Sequence, residues 1–225
     1  MLQKKDYLKT TIQMPNKSSR QHILNSIAAA SKRRLACEYT PAIEGKAIYK
    51  TIEPDAISCF INELEAISGQ VILCDNQTDV YAKLESFIQK RNIPYLYCKD
   101  TTISDKLEIN KIPFSNKKKD FETMEAGITT CEFLVARTGS VLISSASPSG
   151  RQMNVFPPIH IVIANVSQLV NYPEDALVAI QKKYINNLPS IISTITGPSR
   201  TADIEKTLVL GAHGPKEFIV FLAKV

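Results

Sequence analysis

No apolar run in this 225-residue chain is long enough to cross a membrane, because charged or polar residues interrupt every candidate. The opening MLQKKDYLKTT is basic, but neither an apolar core nor a small-residue cleavage site follows it, so it does not read as a secretory signal. Several signatures of chemistry are missing. There is no G-x-G-x-x-G, no Walker G-K-[ST], no H-E-x-x-H and no G-x-S-x-G. RNA-binding aromatic motifs and a basic stripe in the body are absent too, which argues against nucleic acid as a partner. The five cysteines, at 37, 59, 74, 98 and 131, are odd in number and widely spaced, and no C-x-x-C occurs. That pattern suits buried, reduced thiols in a cytoplasmic protein with no zinc or iron–sulfur centre of its own. Internal repeats and low-complexity tracts are lacking as well.

A hydrophobic share of 44% is ordinary for a folded chain, and the length suits one α/β domain with an N-terminal extension. The net charge of +5 is unevenly distributed. Residues 1–34 carry eight Lys/Arg against Asp6 alone, whereas the remainder holds nineteen basic and twenty-one acidic residues. The body is nearly neutral and the arm is basic, reading as a solvated extension. Lys117-Lys118-Lys119 reads as a solvated loop.

Periodicity gives a coarse layout. Ser18 or Ser19 caps a helix over about 20–34, with Ile23, Leu24, Ile27 and Ala28 on one face and Lys32, Arg33 and Arg34 in its last turn. Pro54 opens a second helix carrying Ile57, Phe60, Ile61 and Leu64, which Gly69 stops. Val71–Cys74 reads as a strand, Thr78 caps a helix with Val80, Leu84, Phe87 and Ile88, and Ile93–Tyr97 is the next strand. This βαβ unit predicts a parallel sheet covered by helices. Residues 100–120 have no clear pattern. Beyond them, Cys131–Ala136 and Ser140–Ile143 are apolar runs, Ser144–Arg151 is a loop, and Ile159–Ala164 is a strand. A helix starts at Pro173, and strands follow at Ser190–Ile195 and Phe218–Ala223.

Six of the eight glycines (127, 139, 150, 197, 211 and 214) lie after residue 125, in loops. Ligands of open parallel sheets bind beyond the carboxyl ends of the strands, so these loops are expected there. Thr138-Gly139 reads either as a tight turn or as a hydroxyl-and-amide lip on a pocket. Arg151 ends a flexible loop, where its guanidinium can fork onto a carboxylate or phosphate. Thr196–Pro215 concentrates Gly197, Pro198, Ser199, Arg200, Thr201, Asp203, Glu205, His213 and Gly214. Asp203 and Glu205 read either as acid–base groups or as acceptors for backbone N–H at a turn. His160, at a strand entry, reads as structural; His213 is set in flexible backbone that exposes its ring; His22 lies in the arm.

Three ordered segments carry a resemblance: TGPSRTADIE…LVLGAHGP, GITTCEFLVARTGSVLISS (127–145) and GRQMNVFPPIHIVI (150–163). Together with SSRQHILNSIAAASK, they resemble the lactate-utilisation protein C family, which carries a LUD domain. The resemblance implies a NagB/RpiA/CoA transferase-like fold, three-layer α/β/α with a mostly parallel central sheet. With the charge and length readings above, this gives a basic N-terminal arm and helix over 1–40 and a single LUD-type domain over 41–225. It further implies cytoplasmic work in oxidising L-lactate to pyruvate, with iron–sulfur clusters carried by partner proteins only. The family commonly has an acidic residue before the Thr-Gly step, where this chain has Arg137. That departure lowers the case for carboxylate catalysis and favours an anion.

The leading expectation is therefore a small carboxylate or phosphate held by Thr138, Gly139, Arg151, Gly197, Pro198, Ser199, Arg200, Thr201, His213 and Gly214, with no metal. A second is a stand-alone CoA-transferase- or sugar-phosphate-isomerase-like enzyme, using Glu125, Glu132, Asp203 or Glu205 as nucleophile or base, with His213 as a further candidate. A third is a non-catalytic assembly subunit. The chain's own chemical step is not assignable from sequence, and a homo-oligomer is compatible with it.

Overall fold

The computed structural model describes residues 17–32, 49–202 and 208–224. The chain divides into two units, Met1–Lys46 and Ala47–Val225. In the first unit α1 spans Lys17–Ser31, and no basic residue falls in its last turn. The cation–dipole pairing expected there is not made by Lys32, which follows the helix; Arg33 and Arg34 lie outside the described residues.

The second unit begins with α2 (Ala56–Ala66), β1 (Gln70–Cys74), α3 (Gln77–Lys90) and β2 (Leu96–Tyr97). Next come α4 (Thr101–Ile109), β3 (Phe114–Ser115), β4 (Ala126–Thr130), β5 (Phe133–Val135) and β6 (Ser140–Ser144). β7 (Ile159–Asn165), β8 (Leu169–Val170), α5 (Pro173–Lys183) and β9 (Ile192–Ile195) follow. The remaining strands are β10 (Arg200–Ala202), β11 (Leu208–Leu210) and β12 (Glu217–Ala223).

Six strands form one sheet in the order β1-β12-β7-β4-β2-β3, and every pairing in it is parallel. β8-β5-β6-β9 form a second, mixed sheet, and β10 pairs with β11. One face of the parallel sheet packs against α3 and α4 through Val80, Leu84, Ile88, Ile103 and Leu107. Its other face, through Val162, Phe218, Val220 and Leu222, packs against α2 and the second sheet's Leu134, Val141 and Ile143. The second sheet buries its own outer face, Val135 and Leu142, under Ala176 and Ile180 of α5. The α/β class and parallel sheet match expectation, and the second sheet adds a layer between the parallel sheet and α5.

Local chemistry explains where the elements begin. Asp55, rather than Pro54, caps α2: its carboxylate accepts from the amides of Ile57 and Ser58, both at 2.9 Å. Asn76, rather than Thr78, caps α3 by accepting from the Asp79 amide at 3.0 Å. Asp100 caps α4 through the Thr102 amide at 2.9 Å, giving structure to a stretch that showed no clear pattern in sequence.

Gly139 ends a 3-10 turn over Ala136–Thr138, with φ +56° in the left-handed region. A Cβ there would lie 2.7 Å from the Glu63 carbonyl carbon and closer still to the Leu64 amide nitrogen. The turn therefore lies directly on the backbone of α2. Gly139→Ala combines strained backbone with an unyielding contact, and is expected to cost about 3 kcal/mol or more, read as a lowered urea midpoint. A loss below about 1 kcal/mol would show that this contact relaxes freely.

Candidate functional site

The polar segments picked out in sequence meet at the amino-terminal edge of the parallel sheet. Pro158, just ahead of β7, accepts through its carbonyl from the amides of Lys216 (2.8 Å) and Glu217 (3.1 Å), where β12 begins. Pro215 in turn accepts from the Ser199 amide at 2.8 Å, and the Gly211 amide donates to the Ser199 carbonyl at 2.9 Å. Arg200 reaches the carboxyl end of α2, donating to Ile67 O (2.6 Å) and Ser68 Oγ (3.0 Å). Ser140 Oγ and Thr196 Oγ1 lie 2.8 Å apart, joining the Thr-Gly step to the same assembly. The expected address at the carboxyl ends is therefore corrected. These loops precede β12 and β7 in the chain, and the parallel register places their junctions at the opposite edge.

The assembly is closely built. Gly197, at φ +82°, faces Ile67, and a Cβ on Gly214 would fall 2.9 Å from Ser199 Cβ. Pro198 is buried, and Thr201 lies in β10 opposite Val209. A cavity of about 370 Å³ opens beside it, lined by Val155, Phe156, Pro158, Gly211, His213 and Lys216. His213 and Lys216 are exposed, so two nitrogen-bearing side chains face solvent there. Arg151 is not joined to this cluster by any hydrogen bond among the described residues. Its Nη2 donates to Ser190 Oγ at 2.6 Å, beside a separate cavity that Val155 also lines. Glu125 is exposed, while Asp203 and Glu205 lie outside the described residues.

Arg137 departs from its expected role as an anion attractor. Its Nη1 donates to Glu63 Oε1 of α2 in a close ion pair, and its side chain is only 17% exposed. The positive charge is thus matched within the protein. Thr138 lies in the same turn, and its carbonyl accepts from Ser140 Oγ at 3.2 Å.

Glu132 is placed elsewhere, past the carboxyl end of β4. It is 6% exposed, and its carboxylate accepts from Ser144 Oγ at 2.5 Å, Tyr184 Oη at 2.9 Å and Lys183 Nζ at 2.7 Å. Burial pushes its pKa up, but the hydrogen bonds from Lys183, Ser144 and Tyr184 outweigh this and hold it below the ordinary value. At neutral pH the group is an ionised carboxylate and not a proton donor. It borders a small cavity of about 120 Å³ with Thr130, Cys131, Ser147, Lys183 and Tyr184. Burial raises the Cys131 thiol to about 12, so it is not a thiolate nucleophile. Ser144, Lys183 and Tyr184 were missed in sequence. The available signal was a lone carboxylate within the apolar run Cys131–Ala136.

His160 is fully buried on β7, with Nε2 2.9 Å from Thr129 Oγ1 and Phe218 packed edge-on. Its Nδ1 has no partner among the described residues, and burial lowers its pKa to about 4. It is a neutral, structural imidazole at pH 7. The described residues contain no cluster of three or more His, Cys, Asp or Glu able to hold a metal ion. Among them no helix is long and apolar enough to cross a membrane.

An open parallel sheet carrying a second sheet on one face places this chain among the α/β proteins. The LUD domain family matches residues 57–223, and the chain belongs to that family. An uncharacterized protein of Neisseria meningitidis is 33% identical over 104 residues, 46% of this chain and 44% of that protein. Lactate utilization protein C of Bacillus subtilis is 38% identical over 99 residues, 43% of this chain and 41% of that protein. The chain thus covers less than half the length of these two relatives. The crystal structure of a DUF162 family protein from Deinococcus radiodurans superposes with a TM-score of 0.56 at 12% identity. It covers 75% of this chain and 96% of that one, a likeness of fold.

Two acid windows follow. The His160 pKa is lowered on folding, so the unfolded chain takes up the proton first. Stability is complete above 6.5 and falls by up to about 3 kcal/mol as pH drops toward 4. Glu132 also has a lowered pKa, so its contribution is present above 4.5 and is lost below it, as pH falls through the folded value. Chemical denaturation between pH 7 and 3 should show both windows, with His160→Gln flattening the upper one. Glu132→Gln should cost about 2 kcal/mol at pH 7, through the weakened bonds to Ser144 and Tyr184.

Proposed function

We propose that this protein serves lactate utilisation in the cytoplasm, taking part in the oxidation of L-lactate to pyruvate beside iron–sulfur partner proteins. Its own task is to hold a small carboxylate or phosphate at the amino-edge loop assembly. The observation that carries the reading is the hydrogen-bonded meeting of three polar segments, 138–140, 196–201 and 211–216, the last of which lines a cavity. The names of relatives such as the Bacillus subtilis protein supply the metabolic context. The exposed His213 and Lys216 at the cavity, with exposed Arg200 in the adjoining segment, suit a small anion. In this reading electron transfer falls to the partners, and the buried Cys59, Cys74 and Cys98 pack in the core.

A second reading, a transferase- or isomerase-type enzyme, draws on the ionised Glu132 beside its small cavity. One set of measurements separates the two. Lactate, pyruvate or phosphate should raise the melting temperature of the purified chain, and Arg200→Ala should reduce that rise at least tenfold in apparent affinity. The chain should also restore growth on L-lactate to a Bacillus subtilis strain lacking lactate utilization protein C. No stabilisation by any of these anions removes the loop assembly as their site. Turnover of an acyl-CoA or sugar phosphate by the chain alone, abolished in Glu132→Gln, would favour the second reading.

A further inference from the structure

A different cleft lies where β2 and β3 end, level with the beginnings of β4 and β7. It has a volume of about 510 Å³, within the range of small-molecule sites. Tyr97, the last residue of β2, forms its buried floor, and Asn116 directly follows β3. The wall is aromatic. Phe121 and Phe156 stack with ring centroids 4.5 Å apart and planes 28° from parallel, and Tyr97 meets Phe121 edge-on at 5.4 Å. Phe156 is nevertheless 53% exposed, so an aromatic ring already fixed by stacking still offers surface to the cleft. An exposed, pre-positioned ring gains most from a planar partner, since its ordering cost has already been met.

The charge of the cleft matches that wall. Lys99 and Lys118 both line it and both are exposed. Lys99 Nζ stands 4.9 Å from the Phe121 ring centroid and 3.5 Å from Gln152 Oε1. Among the described residues neither lysine forms an ion pair with a carboxylate. Lys118 belongs to the run Lys117–Lys119, and Glu122 is the one carboxylate among the residues that line the cleft. Glu122 and Asn116 also line it, offering acceptors for hydroxyl groups. Aromatic face, paired cations and hydroxyl acceptors in one cavity describe a ligand with a planar ring, a polyol and phosphate.

We propose that this cleft binds a nucleoside phosphate, with the base stacked on Phe156 and the phosphates held by Lys99 and Lys118. Phe156 lines both this cleft and the loop cavity, whereas Lys99 and Lys118 line this cleft and not that cavity, so the lysine variants separate the inference from the lactate reading. Calorimetric titration of the full chain with ATP, ADP, AMP, adenosine and tripolyphosphate tests it. At least one nucleotide should bind below about 1 mM, more tightly than adenosine and than tripolyphosphate. The double variant Lys99→Ala/Lys118→Ala should weaken that nucleotide roughly tenfold or more and flatten its salt dependence. Phe156→Ala should weaken it similarly while leaving tripolyphosphate unchanged, and Phe156→Tyr should restore affinity. Melting curves of each variant separate lost binding from lost folding. Absence of nucleotide binding, binding indifferent to the lysines and Phe156 in folded variants, or tripolyphosphate binding as tightly as the nucleotide would each overturn the proposal.

Discussion

β7 lies between β12 and β4, and both its faces are covered, one by α3 and α4 and the other by the second sheet and α2. Its peptide groups can reach no water there, so each must be satisfied along the parallel ladders. Seven Cα partners align it with β12, from Ile159 opposite Glu217 to Asn165 opposite Ala223, and five align it with β4. A slip of one residue would exchange Ile161 and Ile163, which face the helices, with Val162 and Ala164, which face the second sheet. It would also swing the His160 imidazole away from Thr129. The rest of the domain follows from that register, because the loops at either edge inherit their positions from it.

The two edges then acquire different chemistry. At the amino edge, the carbonyls of Pro158 and Pro215 gather amides from two segments, Lys216–Glu217 and Ser199, and the glycines there allow close approach of backbone to side chain. In this region Arg137 is paired with the Glu63 carboxylate, while Arg200 donates to the neutral carbonyl of Ile67 at the end of α2. At the carboxyl edge, side chains dominate. Glu132 collects Lys183, Tyr184 and Ser144 there, and Lys99 and Lys118 border an aromatic cleft where the short strands β2 and β3 end, level with the start of β4.

Much of this frame was legible in sequence, for identifiable reasons. Val71–Cys74, Ile159–Ala164 and Phe218–Ala223 are short apolar runs bounded by breakers, and each lies in the parallel sheet. β4 escaped because its residues, Ala126-Gly127-Ile128-Thr129-Thr130, have neither an apolar run nor a clear alternation. The glycine is required there: a Cβ at 127 would stand 2.7 Å from Met153 Cε and 3.0 Å from Pro157 Cβ. α4 escaped because its nine residues bury only Ile103 and Leu107. The candidate residues were legible as types, but their edge of the sheet was not. Which end of a parallel strand a loop occupies depends on strand order, and the pairing of β12 with β7 joins segments far apart in the chain. The partners of Glu132 were invisible for the same reason, since Lys183 and Tyr184 come from the end of a helix fifty residues away.

Arg137 ties a backbone turn to the neighbouring helix. The Thr-Gly turn keeps its left-handed glycine and its seat against Leu64, features that depend on backbone geometry and the missing Cβ. The side chain ahead of that turn points at α2, where Glu63 meets it. An acidic residue in that place would confront Glu63 as a like charge, and both carboxylates would be driven toward solvent or protonation. With arginine the pair instead joins the turn to the helix, half-buried, between the second sheet and α2. In this chain the partner on α2 gives the position a cohesive role.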